Sequence, residues 1–324
     1  MERNEHVHST CPLTDNQISH WKEKGYVVVS GLIEPDIITA CTDKIQEVFQ
    51  DKACQDFGSD GLCEFPTCSC LDEVTVHEVL IDAVSQLLDT PDILLTQSDA
   101  WCKAGHANFG GQQNNDQRFH MDYGNNTFLH PTPWHSPENV AAIVYLADTE
   151  ETGGGTAVCP REGSDDPAYQ TPYINMPGQG GFWEFYNDRT SAERYFRENH
   201  PEVAEFRQQL YNREIIPVYK PGDVLLYRYD VWHRGTPVNL GHKRSVINIA
   251  WKKRDSFWHL TWNPAWSKWN YYGKTERVLM DMSPKQRSLV GVPKPGHQYW
   301  DEEKVTMFAA RYPGMDVTPY LEAL

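Results

Sequence analysis

Two histidines and an aspartate are the residues of this sequence best suited to bind a metal ion. His120 and Asp122 are separated by one residue, and His233 follows far downstream in the run Val231-Trp232-His233-Arg234-Gly235. Because alternate residues of a strand point to the same face, a strand over 119–123 would place the imidazole beside the carboxylate. Two histidines and one carboxylate on one side of an ion are typical of non-haem Fe(II) sites, which keep open positions for a co-substrate and O2. The competing interpretation of any one of these histidines is an exposed turn residue with a chance acidic neighbour.

A possible anchor for a carboxylate follows the second histidine. Arg244 lies eleven residues after His233 and begins the run Arg244-Ser245-Val246-Ile247-Asn248-Ile249-Ala250-Trp251, a pattern that predicts a strand. A guanidinium on an inward-facing strand is costly unless it meets an anion, and its planar fork suits a carboxylate bidentately. The arrangement therefore favours a dicarboxylate co-substrate. A surface arginine at a strand end is the alternative.

The composition limits the classes of partner. The chain has 324 residues with 29 basic and 45 acidic side chains, which gives a formal charge of −16. This charge repels phosphate backbones and anionic lipid head groups, so we expect a small-molecule substrate and neither nucleic acid nor a membrane as partner. No apolar run is long enough for a membrane span, and no signal peptide or peroxisomal tripeptide is present. These features predict a cytoplasmic protein.

Four cysteines are clustered near the N-terminal third of the chain: Cys54, Cys63, Cys68 and Cys70. Their spacing fits the paired Cys-x2-4-Cys pattern of a structural zinc site poorly. Reduced thiols in a surface loop are the default in an intracellular protein, while a zinc-organised interaction module remains an alternative.

The candidate metal ligands and Arg244 lie in a region whose sequence pattern predicts mainly β-strands. Helices are predicted from Asn16 to Gly25, from Glu34 to Phe49, from Val74 to Leu88 and from Glu302 to Arg311, with a polar helical insert at Ser191 to Tyr211. Predicted strands are Ile93 to Thr96, Val140 to Leu146, Thr156 to Cys159, Ile215 to Tyr219, Val224 to Tyr229 and Ser245 to Trp251. The pattern indicates a mainly β core with helical additions in a single domain. We divide it into an N-terminal helical layer (1–92), a β core (93–251) and a C-terminal wrap (252–324) that is rich in tryptophan.

The order of these motifs resembles the phytanoyl-CoA dioxygenase-like family of Fe(II)/2-oxoglutarate-dependent oxygenases. The resemblance covers nearly the whole chain and includes His120-x-Asp122, Glu151-Thr152-Gly153-Gly154-Gly155-Thr156, Pro221-Gly222-Asp223, His233 and Arg244. Where many members have Pro-Gly-Ser-His, this chain has Pro160-Arg161-Glu162-Gly163-Ser164, so no role is carried over to that turn.

The resemblance implies a double-stranded β-helix, a cupin-like jelly roll whose two sheets enclose the metal. It implies Fe(II) bound by His120, Asp122 and His233, with 2-oxoglutarate and O2 as co-substrates. It also implies that Arg244 binds the distal carboxylate of 2-oxoglutarate, with Ser245 and Lys103 near the same co-substrate. Asp122 is retained, which disfavours halogenation, because halogenases need that position for chloride.

The expected reaction is oxidation of a small organic metabolite, by hydroxylation or by C–H abstraction leading to desaturation or cyclisation, with release of succinate and CO2. Tyr123, Trp134, Arg228 and Trp232 are the candidate substrate-facing residues, and each has packing or surface alternatives. The net charge of −16 disfavours an acyl-CoA substrate of the phytanoyl-CoA type, because it repels the phosphates of CoA. A catalytically silent jelly roll that binds or senses a ligand is the other alternative, although the three metal-ligand candidates and the arginine are all present.

Overall fold

Strands of two sheets form the centre of the computed structural model, which describes residues 11–49, 63–65, 68–105, 117–122, 130, 132–170, 185–257, 279–284, 287 and 292–324. The strands are β1 (Tyr26–Val29), β2 (Cys63–Glu64), β3 (Ile93–Ala104), β4 (Asn139–Tyr145), β5 (Thr156–Val158), β6 (Val224–Tyr227), β7 (His233–Gly235) and β8 (Lys243–Lys253). The helices are α1 (Asp15–Lys24), α2 (Pro35–Val48), α3 (Ser69–Thr75), α4 (Glu78–Leu88), α5 (Thr149–Thr152), α6 (Arg189–Asn199), α7 (Pro201–Asn212), α8 (Glu302–Arg311) and α9 (Thr318–Leu321).

The major sheet has six antiparallel strands in the order β1-β6-β4-β8-β3-β2. Its alternating side chains belong to two separate cores, because successive residues of a strand point to opposite faces. On β4, Ala142 and Val144 pack in the cluster shared with the N-terminal helices, whereas Ala141, Ile143 and Tyr145 pack in the cluster between the sheets. The second face is the one that can line a site.

Helices α1 to α4 cover the outer face of this sheet. Helix α1 begins with a capping box, in which the Thr14 hydroxyl accepts from the Gln17 backbone N–H and the Gln17 side chain accepts from the Thr14 N–H. It ends at Gly25, whose φ of 88° lies in the left-handed region that glycine adopts at low cost. The helices bury apolar residues, Trp21 and Ile45 among them, against the sheet.

The smaller sheet pairs β5 with β7, and residues 117–122 extend it on the other side of β7. His120 and His233 exchange two backbone hydrogen bonds of 3.0 Å, and the Asp122 N–H donates to the Tyr229 carbonyl at 2.9 Å. The two sheets together form the cupin-type jelly roll expected from the sequence, and the expected fold class is confirmed.

Several predicted elements have different bounds in the structure. The predicted helix at Val74 to Leu88 is two helices, α3 and α4, and the insert at Ser191 to Tyr211 is split into α6 and α7 at Pro201. Proline has no backbone N–H and disfavours helical backbone in the residue before it, so a new helix starts there. The predicted strand at Ile215 to Tyr219 is wrong, because this segment contributes a single bridge, from Ile215 to Val158.

The described part of the C-terminal segment has an apolar cluster of its own, which includes Trp300, Phe308 and Tyr320. It contacts the β-rich region at Tyr299, whose hydroxyl lies 2.9 Å from Nε2 of the buried His130. Much of the tryptophan-rich run, residues 258–278, lies outside the described residues. The division into three segments stays a prediction, although β1 of the first segment pairs with β6 of the β core. Within the described ranges, no helix has the length and apolar character that crossing a membrane requires.

Candidate metal centre and active site

His120, Asp122 and His233 converge between the two sheets and are all buried. The Asp122 Oδ1 lies 3.7 Å from the His120 Nε2, and the Asp122 Oδ2 lies 3.4 Å from the His233 Nε2. Ligand atoms about 2.1 Å from one ion are roughly 3.0–3.6 Å apart at angles of 90–120°. The two Asp122 separations are close to this range and all three ligand atoms lie within 4.8 Å of one another, so the side chains form a group that could hold one ion. The described residues contain no other comparable group of histidine, cysteine and acidic side chains.

The backbone orients both imidazoles for this task. The His120 Nδ1 lies 3.2 Å from the Arg118 carbonyl, and the His233 Nδ1 lies 2.9 Å from the Val231 carbonyl. Because a carbonyl accepts only from an N–H, Nδ1 carries the proton and Nε2 presents its lone pair to the centre. Burial, with the nearby His233 and Arg118, holds the pKa of His120 well below its usual range, so this ring is a neutral ligand.

The carboxylate of Asp122 is held by a tyrosine. The Tyr227 hydroxyl donates to the Asp122 Oδ2 at 2.8 Å. Burial raises the pKa of Asp122, whereas His233 and this hydrogen bond lower it. Burial and the neighbouring carboxylate raise the pKa of Tyr227 well above its ordinary value, so its hydroxyl remains a donor at neutral pH.

A second tyrosine contacts the histidine directly. The hydroxyl of the buried Tyr186 lies 2.7 Å from the His120 Nε2, the nitrogen that faces the centre. The guanidinium of Arg118 lies 5.3 Å from the centre of the Tyr186 ring. Sequence patterns gave no sign of this residue, because it follows the segment 171–184, which has no regular periodicity and lies outside the described residues.

A cavity extends from the metal-binding side chains along the inner face of the major sheet. Its empty space is about 590 Å³, including its opening to solvent. The lining side chains besides those of the triad include Gln97, Trp101, Gln117, Thr156, Tyr186, Tyr227, Tyr229, Arg244 and Asn248.

Arg244 lies at one end of this cavity and is 3% exposed. Its guanidinium is 5.1 Å from the centre of the Trp101 ring. Gly154 leaves room for it, since a Cβ at that position would lie 3.2 Å from the Arg244 Nε. Beside it, the Tyr145 hydroxyl donates to the Thr156 Oγ1 at 2.7 Å, which orients a cavity-lining hydroxyl.

Lys103 and Ser245, both expected near the co-substrate, have different positions. Lys103 pairs across the sheet with Arg244, is 5% exposed, and places its Nζ 5.6 Å from the Trp101 ring centre. Its charge therefore lies near the same end of the cavity, although Lys103 is not among the side chains that line it. Ser245 pairs with Cys102 on the opposite face of β8, toward the helical layer, and does not line the cavity. The expected role of Ser245 is corrected because neighbouring strand residues point to opposite faces.

Three of the four candidate substrate-facing residues do not line the cavity. Trp232 is fully buried, and its Nε1–H donates to the Ala168 carbonyl at 2.9 Å. Arg228 forms a buried ion pair with Asp230 at 2.8 Å and lies 4.1 Å from the centre of the Trp134 ring. These contacts give the buried Arg228 and Trp232 packing roles, which corrects the expectation for those two residues. The substrate-facing role of the partly exposed Trp134 stays a prediction.

The fourth candidate, Tyr123, lies outside the described residues, as does Cys54. Of the described members of the cysteine cluster, Cys68 and Cys70 are free thiols. The Sγ atoms of Cys68 and Cys70 are 3.7 Å apart. Within the part of the chain that the structure describes, these cysteines do not form a three-ligand metal group.

Sequence reasoning missed several side chains of the cavity. Tyr227 could have been found by parity, because it follows the apolar run Val224-Leu225-Leu226 and shares its face with Leu225. Gln97 and Asn248 line the part of the cavity farther from Arg244. Asn248 could also have been found by parity, because it shares its face of β8 with Arg244, whereas the position of Gln97 depends on the bulge between Leu95 and Gln97. A bulge changes which residues share a face, so alternation counted from the sequence alone does not place Gln97 correctly.

Comparison with known proteins identifies the family. The family model for phytanoyl-CoA dioxygenase (PhyH) matches residues 21–246. No protein of curated function matches the chain in sequence. Among solved structures, the non-haem α-ketoglutarate-dependent carbocyclase SnoK from nogalamycin biosynthesis is 14% identical, with a TM-score of 0.56 over 87% of this chain and 93% of that one.

Two further structures share the fold. EctD from S. alaskensis, solved with 2-oxoglutarate and 5-hydroxyectoine, is 15% identical, with a TM-score of 0.53 over 78% of each chain. The epimerase SnoN, solved with Fe3+, α-ketoglutarate and nogalamycin RO, is 11% identical, with a TM-score of 0.50 over 74% of this chain and 83% of that one. Since the family model covers more than half of the sequence, the chain belongs to the phytanoyl-CoA dioxygenase family and is a non-haem iron dioxygenase that uses 2-oxoglutarate.

Proposed function

We propose that this protein oxidises a small organic metabolite at an iron held by His120, Asp122 and His233, with Arg244 binding the distal carboxylate of 2-oxoglutarate. The observation that carries the proposal is the convergence of two imidazole Nε2 atoms and one carboxylate at the wall of a cavity whose end carries Arg244. Two histidines and a carboxylate leave positions on an iron open for a co-substrate and O2.

When bound, iron and 2-oxoglutarate supply the oxidising chemistry, in which O2 and 2-oxoglutarate are converted to succinate, CO2 and an oxidised substrate. The protein contributes position and environment. The carbonyls of Arg118 and Val231 fix the two rings, and Tyr227 fixes the carboxylate. These bonds keep three ligand atoms facing one point before any metal arrives.

The cationic end of the cavity suits a dicarboxylate. A guanidinium can bind both oxygens of a carboxylate, and Lys103 beside it adds positive charge in a buried environment, where charges interact strongly. The Thr156 hydroxyl can donate to the same group, because its oxygen already accepts from Tyr145. Burial of these side chains excludes competing water.

The far end of the cavity suits a compact, polar substrate. Its walls combine the amides of Gln97 and Asn248 with the small side chains of Ala141 and Ala250. Amide groups donate and accept hydrogen bonds without carrying charge, so they fix the orientation of a substrate with hydroxyl, carbonyl or amide groups. The net charge of −16 adds no attraction for the phosphates of an acyl-CoA.

The test is formation of succinate from 2-oxoglutarate with Fe(II) and O2, run with a library of small metabolites. His120→Ala and Asp122→Ala should abolish succinate formation and weaken Co(II) binding measured by absorption. The exposed His135 and Asp255 provide matched controls, because their alanine variants remove the same groups from the surface. If His120→Ala and Asp122→Ala formed as much succinate as the parent, the assignment of the metal site would be wrong.

The mass of the accepted substrate then identifies the reaction. One added oxygen indicates hydroxylation, and loss of two hydrogens indicates desaturation or cyclisation. Arg244→Gln should raise the KM for 2-oxoglutarate by roughly two orders of magnitude, because a bidentate charged contact is lost. It should leave Co(II) affinity unchanged, since Arg244 is not a member of the metal-binding group.

A further inference from the structure

We infer that the Tyr186 hydroxyl and the metal compete for one lone pair, so that Tyr186 sets how tightly and how fast the site takes up its metal. The inference rests on the metal site proposed above. It makes Tyr186 a positioning residue that acts through His120.

The geometry does not allow the Tyr186 hydroxyl and a metal ion to occupy the lone pair of the His120 Nε2 at the same time. The Tyr186 oxygen lies 2.7 Å from the His120 Nε2, a distance at which the hydroxyl donates into the nitrogen lone pair. The Nδ1 of the same ring faces the Arg118 carbonyl, so Nε2 is the nitrogen left for a metal. A first-row metal ion binds an imidazole nitrogen at about 2.1 Å along that lone pair. The hydroxyl must therefore leave Nε2 before a metal can bind it.

Hydrogen bonds fix the backbone of Tyr186 beside residues 117–122, the segment that carries His120 and Asp122. The Arg118 N–H donates to the Tyr186 carbonyl at 3.2 Å, and the Gln117 side chain donates to the Asn187 Oδ1 at 2.8 Å. Gln117 is itself held by the Gly235 N–H at 2.7 Å. Displacement of the hydroxyl is therefore a rotation of the side chain within the cavity that it lines, without release of the segment.

The residue before Tyr186 has an unusual conformation. Phe185 has a φ of 60°, which lies in the left-handed region that a bulky residue adopts only at a cost. Strained backbone of this kind persists where the surrounding contacts fix it, and it is frequent at functional sites. Phe185 immediately precedes Tyr186, whose hydroxyl is hydrogen-bonded to the His120 Nε2.

The hydroxyl of Tyr227 is expected to have the opposite effect on metal binding. Its hydroxyl donates to the Asp122 Oδ2 and leaves Oδ1 facing the His120 Nε2. Tyr227 therefore orients a ligand without covering the metal-facing nitrogen. Removal of its hydroxyl should weaken metal binding, whereas removal of the Tyr186 hydroxyl should strengthen it.

The experiment compares Tyr186→Phe and Tyr227→Phe with the parent. Each variant removes one oxygen and keeps the ring, so the fold is preserved. Co(II) affinity is measured by competition with a chelator, and the rate of uptake is measured by stopped-flow absorption. We expect Tyr186→Phe to bind Co(II) roughly two- to tenfold more tightly and faster, because a competing hydrogen bond is gone. Tyr227→Phe should bind roughly 10- to 100-fold more weakly.

A spectroscopic measurement isolates the displacement itself. Co(II) binding to the parent should change the ultraviolet absorption of a tyrosine, because one phenol loses its hydrogen bond, and this change should be absent in Tyr186→Phe. Equal or weaker Co(II) binding by Tyr186→Phe, with Tyr227→Phe weakened as expected, would overturn the inference and leave the proposed function standing. If the parent bound no Co(II), or bound it as well after His120→Ala, the proposed metal site would fail and the inference with it.

Discussion

Replacement of Gly154 by alanine tests whether the fold makes room for the arginine at the end of the cavity. Gly154 has a φ of 74°, in the left-handed region. An added Cβ would lie 2.7 Å from the Val238 Cγ2 and 3.2 Å from the Arg244 Nε. Gly31 is a matched control, because its φ is 68° and an added Cβ would meet nothing within 4 Å.

The expected magnitudes separate backbone strain from crowding. An alanine in the left-handed region costs about 1–2 kcal/mol at either position. Crowding at Gly154 adds about 1–3 kcal/mol if the neighbours stay in place. The Val238 side chain must shift in any case, because its Cγ2 is the closer contact, and Arg244 must also move to relieve the contact at its Nε. That movement loses one charged hydrogen bond to the co-substrate, which is worth about 1.5–3 kcal/mol. Gly154→Ala should therefore weaken 2-oxoglutarate binding by roughly 10- to 150-fold, and Gly31→Ala should leave it unchanged.

Calorimetric titration of 2-oxoglutarate into the Mn(II)-loaded protein measures this effect without turnover. Urea unfolding of both variants measures the shared backbone cost. Mn(II) affinity should be equal in the two variants, because neither glycine contacts His120, Asp122 or His233. The reasoning is refuted if Gly154→Ala binds 2-oxoglutarate within twofold of Gly31→Ala.

Two further predictions concern stability and thiol reactivity. Glu193→Gln should lower the free energy of unfolding by about 3 kcal/mol in urea denaturation, because it removes the negative charge that lies 2.7 Å from the fully buried Arg207 guanidinium. Glu47→Gln, at an exposed i,i+3 pair, should change it by less than about 0.5 kcal/mol. Burial raises the pKa of Cys41 to about 12, so peptide mapping after iodoacetamide treatment near about pH 8 should find the exposed Cys11 alkylated and Cys41 intact. Alkylation of both at similar rates would contradict the burial argument.

The sequence was sufficient to select His120 and Asp122 as neighbouring metal-ligand candidates, because their relative position follows from local geometry. His120 and Asp122 are two residues apart on an extended segment, so they share a face whatever the rest of the fold does. Their distance from His233 depended on long-range pairing, which the family resemblance supplied and the His120–His233 bridge now shows. Arg244 could be predicted for the same reason, since it begins a strand whose even-numbered residues face the cavity.

Residues whose role depends on which element covers them could not be placed from the sequence. Trp232 is adjacent to His233, and sequence proximity suggested a substrate contact, but alternation directs it into the core below Ala168. Trp134 and Arg228 are 94 positions apart and stack on each other, a pairing that no local pattern encodes. Tyr186 reaches the metal centre through a loop, and loops carry no periodic signal.

The register of the major sheet links the two ends of the active site. Tyr227 pairs with Ala141, Ala141 with Ala250, and Ala250 with Gln97, which forms one row across four strands beside the Asp122 carboxylate. Arg244 lies six residues from Ala250 on β8, or about 20 Å at roughly 3.3 Å per residue. A slip of β8 by one residue would turn Arg244 and Ala250 toward the helical layer and remove both from the cavity. The helices α1 to α4 that bury the outer face therefore also specify which side chains face the metal.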